Sequence, residues 1–133
     1  MAGIYLDTSA IGRVLLAEPD ARAIREVLAE HDAWWSSELL VVELRRFAVR
    51  EGLADAAEKL LDAVRLAGVD SATLQRASRL EPREVRSLDA IHLEAAIRLH
   101  ERGDITAVLT YDHQLQAGSE HHGLAVQAPT AAR

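Results

Sequence analysis

The chain has 133 residues, 49% hydrophobic and 27% charged, with no cysteine and a formal charge of −6 from 15 basic and 21 acidic residues. That composition describes one compact globular domain, and it excludes disulfides, thiolate metal sites, cysteine nucleophiles and a surface that coats nucleic acid by positive charge. No apolar run approaches the roughly 20 residues that cross a bilayer, and the start lacks a basic, cleavable leader, so a cytoplasmic protein with no membrane partner is expected.

Residues 3–6 (GIYL) read as a short buried strand, stopped at once by Asp7-Thr8-Ser9. Residues 8–16 have helical apolar spacing, and Pro19-Asp20 ends that helix and opens another through about residue 30. Residues 33–35 (AWW) form a second strand, and Ser36-Ser37 is a good N-cap for a long helix to residue 50, closed by Gly52. A further helix is expected over 53–66, a brief strand at 69–70, and a helix capped by Ser71 to about residue 80. Beyond Glu81-Pro82, Ser87 caps a helix that runs to residue 102 and stops at Gly103. Residues 107–110 are an apolar strand, 112–117 a short helix and 124–126 a last strand, and the tail 129–133 is expected to fray. Strands alternating with helices imply an α/β fold, a short parallel sheet covered by helices, in a single domain over 1–133.

In such a sheet, ligands bind beyond the carboxyl ends of the strands. Asp7 follows the first strand directly, and Asp112 sits just past the strand 107–110, so two distant acids share one rim. Either alone is explained by helix capping or by complementing a helix dipole. Asp89 is harder to explain that way. At about 100° per residue, Glu94, Arg98 and Glu101 fall roughly 120–180° from Asp89 and mark the solvated face, while Leu93, Ala96, Ile97 and Leu99 flank Asp89 itself. His92, one turn along, is either a partner for it or an ordinary packed histidine. Glu43 has the same anomaly, standing in a stripe with Leu39, Leu40 and Phe47. An ion pair with Arg46 three residues on would be worth only a few tenths of a kcal/mol, too little to place a carboxylate there.

Four carboxylates brought together repel one another unless a cation sits among them. Oxygen-only ligands without histidine or cysteine suit Mg²⁺ or Mn²⁺, and such sites perform phosphoryl chemistry. Two divalent ions would add about +4 locally, enough to admit a phosphate to an acidic chain. Asp7, Glu43, Asp89 and Asp112 are therefore the candidate metal ligands and catalytic residues. Thr8 and Ser9 place hydroxyls beside Asp7, where they cap the helix, orient a carboxylate or a water, or touch substrate. Arg46 and Arg50, one and two turns beyond Glu43, are the candidate phosphate contacts, since a guanidinium fork donates two hydrogen bonds at once; the competing reading is that they only neutralise nearby acids. Lys59 is the sole lysine, so a lysine-based scheme is not expected.

Four segments, LDTSA, SSELLVVELRR, SLDAIHLEAA and VLTYDHQL, occur in an order and spacing that resemble the PIN-domain ribonucleases, and within them the VapC-type toxins of bacterial toxin–antitoxin pairs. The resemblance covers nearly the whole chain, and the family's acidic positions fall on Asp7, Glu43, Asp89 and Asp112, the last with a role that is often indirect. It implies a PIN-like three-layer sandwich and a metal-dependent endoribonuclease acting on RNA. It also implies inhibition by a cognate antitoxin that enters the active-site groove, and a homodimer.

Other classes compete. A receiver-like phosphoacceptor module would pair two acids after the first strand and place a lysine near the last strands, neither of which occurs here. A catalytically silent binding scaffold has no need to retain four acids. A housekeeping nuclease, or one acting on DNA or on particular structures, would use the same site. Trp34-Trp35 is assigned to packing, and His121-His122, before Gly123, to a solvated polar loop.

Overall fold

The structure is a computed structural model that describes residues 2–131. Strand β1 (Gly3–Leu6) leads into helices α1 (Thr8–Leu15) and α2 (Ala21–Ala29), followed by β2 (Trp34–Ser37), α3 (Leu39–Glu51) and α4 (Ala54–Asp62). Next come β3 (Arg65–Ala67), α5 (Ser71–Ala77), α6 (Ser87–Glu101), β4 (Ile105–Leu109), α7 (His113–His121) and β5 (Ala125–Gln127). The strands form one sheet in the order β3-β2-β1-β4-β5, and every pairing is parallel.

Alternation along β1 divides the interior in two. Ile4 and Leu6 face a core built with Ile11, Val14, Ile24, Leu40, Leu44 and Leu61 from α1 to α4. Tyr5 faces the opposite core, with Leu93, Leu99, Val108 and Leu115 from α6, β4 and α7. A strand buried on both faces reads as a continuous apolar run, which is why GIYL shows no polar alternation. Leu40, Leu44 and Leu93 are fully buried, each contributing about 1.5–3 kcal/mol by leaving water. Gly3 permits the close approach of β1 to β2, since a Cβ there would lie 2.4 Å from the Ala33 carbonyl oxygen. The expected three-layer α/β sandwich is the one observed.

The elements depart from expectation in several places. The helix expected over 53–66 ends at Asp62, and the third strand is Arg65–Ala67 instead of 69–70. Leu60, Leu61 and Val64 keep helical apolar spacing across the break, so periodicity does not mark it, and the three-residue edge strand is largely exposed. Val69 instead donates its N–H to Glu38, and Asp70, not Ser71, caps α5 through Thr73. Ser87 is the first residue of α6 and not its cap; Arg86 holds that position without a side-chain bond, and Asp89 supplies the first-turn acid. Part of the expected frayed tail is tied down: the Pro129 carbonyl accepts from the Tyr111 hydroxyl, and the Ala131 N–H donates to Asp20. Residues 132 and 133 of that tail lie outside the described residues. Trp34 and Trp35 each pack against one core, Trp34 also donating to the Leu28 carbonyl. His122 bonds the Glu81 carbonyl instead of standing in solvent alone.

Candidate active site

The parallel topology gathers the carboxyl ends of β1, β2 and β4 on one rim. Asp7 leaves β1 there, Asp112 follows β4, and α3 departs directly from β2 to carry Glu43 on its second turn. Helix α6 packs along the sheet and presents Asp89 in its first turn.

Asp7 is 4% exposed, yet both its oxygens are satisfied. Oδ1 accepts from the Ser9 hydroxyl at 2.7 Å and the Ala10 N–H at 3.1 Å, and Oδ2 accepts from the Thr110 hydroxyl at 2.6 Å. Asp7 therefore caps α1 through Oδ1 and is tied through Oδ2 to the end of β4. Burial raises the Asp7 carboxyl above its usual value, and the donors Thr110, Ser9 and Ala10, with the charge of His92, oppose that rise.

Glu43 is held through one oxygen. Its Oε1 accepts from the Thr8 hydroxyl at 2.7 Å and lies 2.7 Å from His92 Nε2. Burial would lift this carboxyl, but bonding to and charge on His92, with the Thr8 hydroxyl, outweigh it and hold Glu43 below its usual value. The bland ion pair with Arg46 is not what holds Glu43. Nor is His92 bonded to Asp89 or merely packed: its second nitrogen, Nδ1, lies 2.7 Å from the Tyr5 hydroxyl.

Asp89 is half-buried, and its carboxyl is pushed up to about 6, first by burial and next by the charge of Asp112. Asp7 and Glu43 add to the rise, while His92 opposes it. Asp89 thus senses the other three acids as neighbours. Asp112 caps α7, its Oδ1 accepting from the Leu115 N–H at 2.9 Å, and its own N–H donates to Thr110 at 3.1 Å.

Among the described residues no three Asp, Glu or His side chains stand close enough to form a ready ligand set. The donor set still suits a hard divalent cation. It offers carboxylate oxygens with no thiolate, and a cation would relieve both the burial and the neighbouring negative charge that raise Asp89. Among the described residues, Glu43 and Asp112 each have one carboxylate oxygen hydrogen-bonded and one without a hydrogen-bond partner.

Thr8 and Ser9 spend their hydroxyl protons on Glu43 and Asp7, so their visible work is to orient carboxylates. Arg46 and Arg50 stand on the exposed side of α3, where with Arg45 and Val49 they line an open hollow of about 280 Å³. Arg45 is engaged by Glu58. Glu94, expected on a solvated face, is fully buried and paired with Arg76 and Arg98, because α5 covers that side of α6.

Three participants were not foreseen from the sequence as members of the site. Thr110 is fully buried and joins Asp7 to the start of α7; the only signal is a hydroxyl ending an apolar strand. His92 and Tyr5 form the second pair, and their apolar surroundings conceal them. Ser9 also accepts from the Tyr111 N–H at 3.0 Å, tying the segment after β1 to the segment after β4.

The PIN domain family model matches residues 4–119. The chain is 37% identical over 132 residues to Ribonuclease VapC46 of Mycobacterium tuberculosis, covering 98% of this chain and 100% of that protein. It is 34% identical over 137 residues to Ribonuclease VapC47 of the same species, covering 98% and 99%. A toxin–antitoxin complex from Klebsiella pneumoniae contains a chain with the same fold, at a TM-score of 0.71 and 16% identity, covering 98% of this chain and 100% of that one.

Proposed function

Because the chain belongs to the PIN domain family and aligns with VapC-type ribonucleases along nearly its whole length, we propose that it is an endoribonuclease dependent on Mg²⁺ or Mn²⁺, acting as the toxin of a toxin–antitoxin pair. The observation that carries this reading is the buried Thr110 hydroxyl, which donates to Asp7 Oδ2 and accepts from the Asp112 N–H and so ties the acids after β1 and β4 to one rim; burial first, then the charges of Asp112, Asp7 and Glu43, push the nearby Asp89 carboxyl up to about 6. A rim of carboxylates that His92 offsets only in part is suited to hold a cation.

Asp7, Glu43, Asp89 and Asp112 would hold the metal. Bound there, it would supply positive charge and Lewis acidity toward a phosphodiester. The protein's own work is preorganisation. Thr110 and Ser9 fix Asp7, Thr8 and His92 fix Glu43, and the Leu115 N–H fixes Asp112, so that oxygens are placed before substrate arrives. In this reading Thr8 and Ser9 lie beside the reacting phosphate and act through Glu43 and Asp7, to which their hydroxyl protons are donated. Arg46 and Arg50 would grip neighbouring phosphates, which an acidic chain needs because its net charge of −6 gives no long-range attraction for RNA.

The partner that controls it would be a cognate antitoxin entering the groove, and the working form a cytoplasmic homodimer. Among the described residues no helix is long and apolar enough to cross a membrane. The reading is tested by incubating partner-free protein with total RNA and mapping the ends, with Mg²⁺ and with excess chelator. Internal cuts that need the metal are expected. Equal cutting in chelator contradicts the metal site, and cutting of DNA alone points to the other nucleases of this fold. Expression alone in a bacterium should arrest growth, and co-expression of the neighbouring small antitoxin should restore it.

A further inference from the structure

Resting on that reading of the site, we propose that His92 is a positioning residue that sets Glu43 for the cation, acting through Glu43 and never as a ligand itself.

The imidazole is 2% exposed and lies between two partners, with the Tyr5 hydroxyl 2.7 Å from Nδ1 and Glu43 Oε1 2.7 Å from Nε2. Both ring nitrogens are thus spent, which removes His92 from the ligand set. A carboxylate only accepts, so Nε2–H is the donor to Glu43. In the neutral ring Nδ1 then accepts from the Tyr5 O–H. In the doubly protonated ring Nδ1–H donates to the same oxygen. The contact with Glu43 is the same either way, so the role does not depend on a titration.

The chain of contacts closes on itself. Tyr5 lies two residues before Asp7 and Thr8 directly after it, and Thr8 donates to the same Oε1 that faces His92. Glu43, from α3, is therefore registered against the segment that carries Asp7, once directly through Thr8 and once through Tyr5 and His92. Two donors converge on Oε1, and among the described residues none bonds Oε2, which is left for a cation. A glutamate has large rotamer freedom to lose, and a half-buried one among other acids gains from turning away to solvent. Thr8 alone supplies one donor on a mobile hydroxyl. His92, packed rigidly in α6 against the Tyr5 ring in an edge-on arrangement, supplies the one that cannot rotate away.

A purely structural histidine would also be buried and bonded, so the test separates the two ends of the ring. Mn²⁺ affinity of the full chain is measured by calorimetry alongside RNA cleavage and melting temperature. His92→Gln can still reach Glu43 with its amide N–H and should keep Mn²⁺ affinity within a few-fold. His92→Asn, too short for Glu43 but able to meet Tyr5, should lose about 10–100-fold, the usual cost of removing a group that orients a ligand. His92→Leu should lose as much, and adding it to Glu43→Gln should cause no further loss. The inference is overturned if His92→Asn and His92→Leu bind Mn²⁺ like the parent, or if His92→Leu weakens binding equally when Glu43 is already Gln. Should His92→Leu fail to fold, the contrast of Gln with Asn decides. A parent chain that binds no Mn²⁺ overturns the metal reading and this inference together.

Discussion

The Thr110 hydroxyl donates to Asp7 Oδ2 across 2.6 Å, joining residues 103 positions apart in the chain. Both side chains are buried, and the bond locks the rim of β1 to the rim of β4, between the strand ends that Asp7 and Asp112 follow. A hydrogen bond to a buried carboxylate contributes about 1.5–3 kcal/mol. Thr110→Val keeps the shape and removes the donor, so it should lower stability at neutral pH by an amount in that range and reduce cleavage at least tenfold. Thr110→Ser should restore most of both. Urea unfolding and initial cleavage rates measure the pair of effects.

The metal-free protein should lose stability as pH rises from about 4 to above 6. Asp89 titrates near 6 in the folded chain against an ordinary value of 3.8, so between these values the folded state binds the extra proton. Its contribution is fully present below the unfolded value and lost as pH rises through the folded one. The raised Asp7 carboxyl acts in the same direction, whereas the lowered Glu43 contributes stability that is lost only as pH falls through its folded value. Melting temperatures in chelator from pH 4.5 to 8 should show the decline, and Asp89→Asn should flatten it and melt higher than the parent at pH 7.

Glu94 gives a prediction of the opposite kind. It is fully buried, whereas the side chains of its partners Arg76 and Arg98 are 43% and 38% exposed. Removing the acid leaves two arginines that reach water. Removing both arginines leaves a carboxylate that does not. Arg76→Ala with Arg98→Ala should therefore cost about 3–5 kcal/mol, more than Glu94→Gln, with the difference read from denaturant midpoints.

Glu94 also shows where sequence patterning stops. Counting degrees around α6 correctly put Glu94 opposite Asp89, but a helical wheel cannot tell which face another helix will cover, and α5 covers that one. The alternation of strands and helices was legible because each core helix carries its own apolar stripe. Strand β3 was not, because three edge residues bury too little to leave a pattern. Glu43 and Asp89 stood out because a carboxylate on an apolar stripe violates a local rule, and Asp7 and Asp112 because both follow strands onto one rim. Thr110, His92 and Tyr5 violate none: a threonine, a histidine and a tyrosine are ordinary inside. Only the fold reveals that their polar atoms meet acids or each other across 49, 87 and 103 positions of chain.

Arg46 and Arg50 should govern RNA binding more than chemistry. Arg46→Ala and Arg50→Ala should each weaken binding and reduce the slope of log affinity against log salt, by about 0.7 for each single-strand phosphate that the arginine no longer neutralises. Metal affinity should be unchanged. Variants that keep the parent's affinity and salt slope would assign phosphate binding to other residues.

The most direct measurement is Mg²⁺-dependent cleavage of single-stranded RNA by the parent, Asp7→Asn and Asp89→Asn at matched, verified fold. Asparagine still caps α1 at residue 7 and removes one negative charge from the crowded rim at either position. Both variants should stay folded and lose cleavage by at least a hundredfold at every Mg²⁺ concentration, while the parent's activity vanishes in chelator and returns with Mg²⁺ or Mn²⁺. Folded variants that cleave like the parent, or a parent indifferent to chelator, would contradict a metal-dependent nuclease built on these acids.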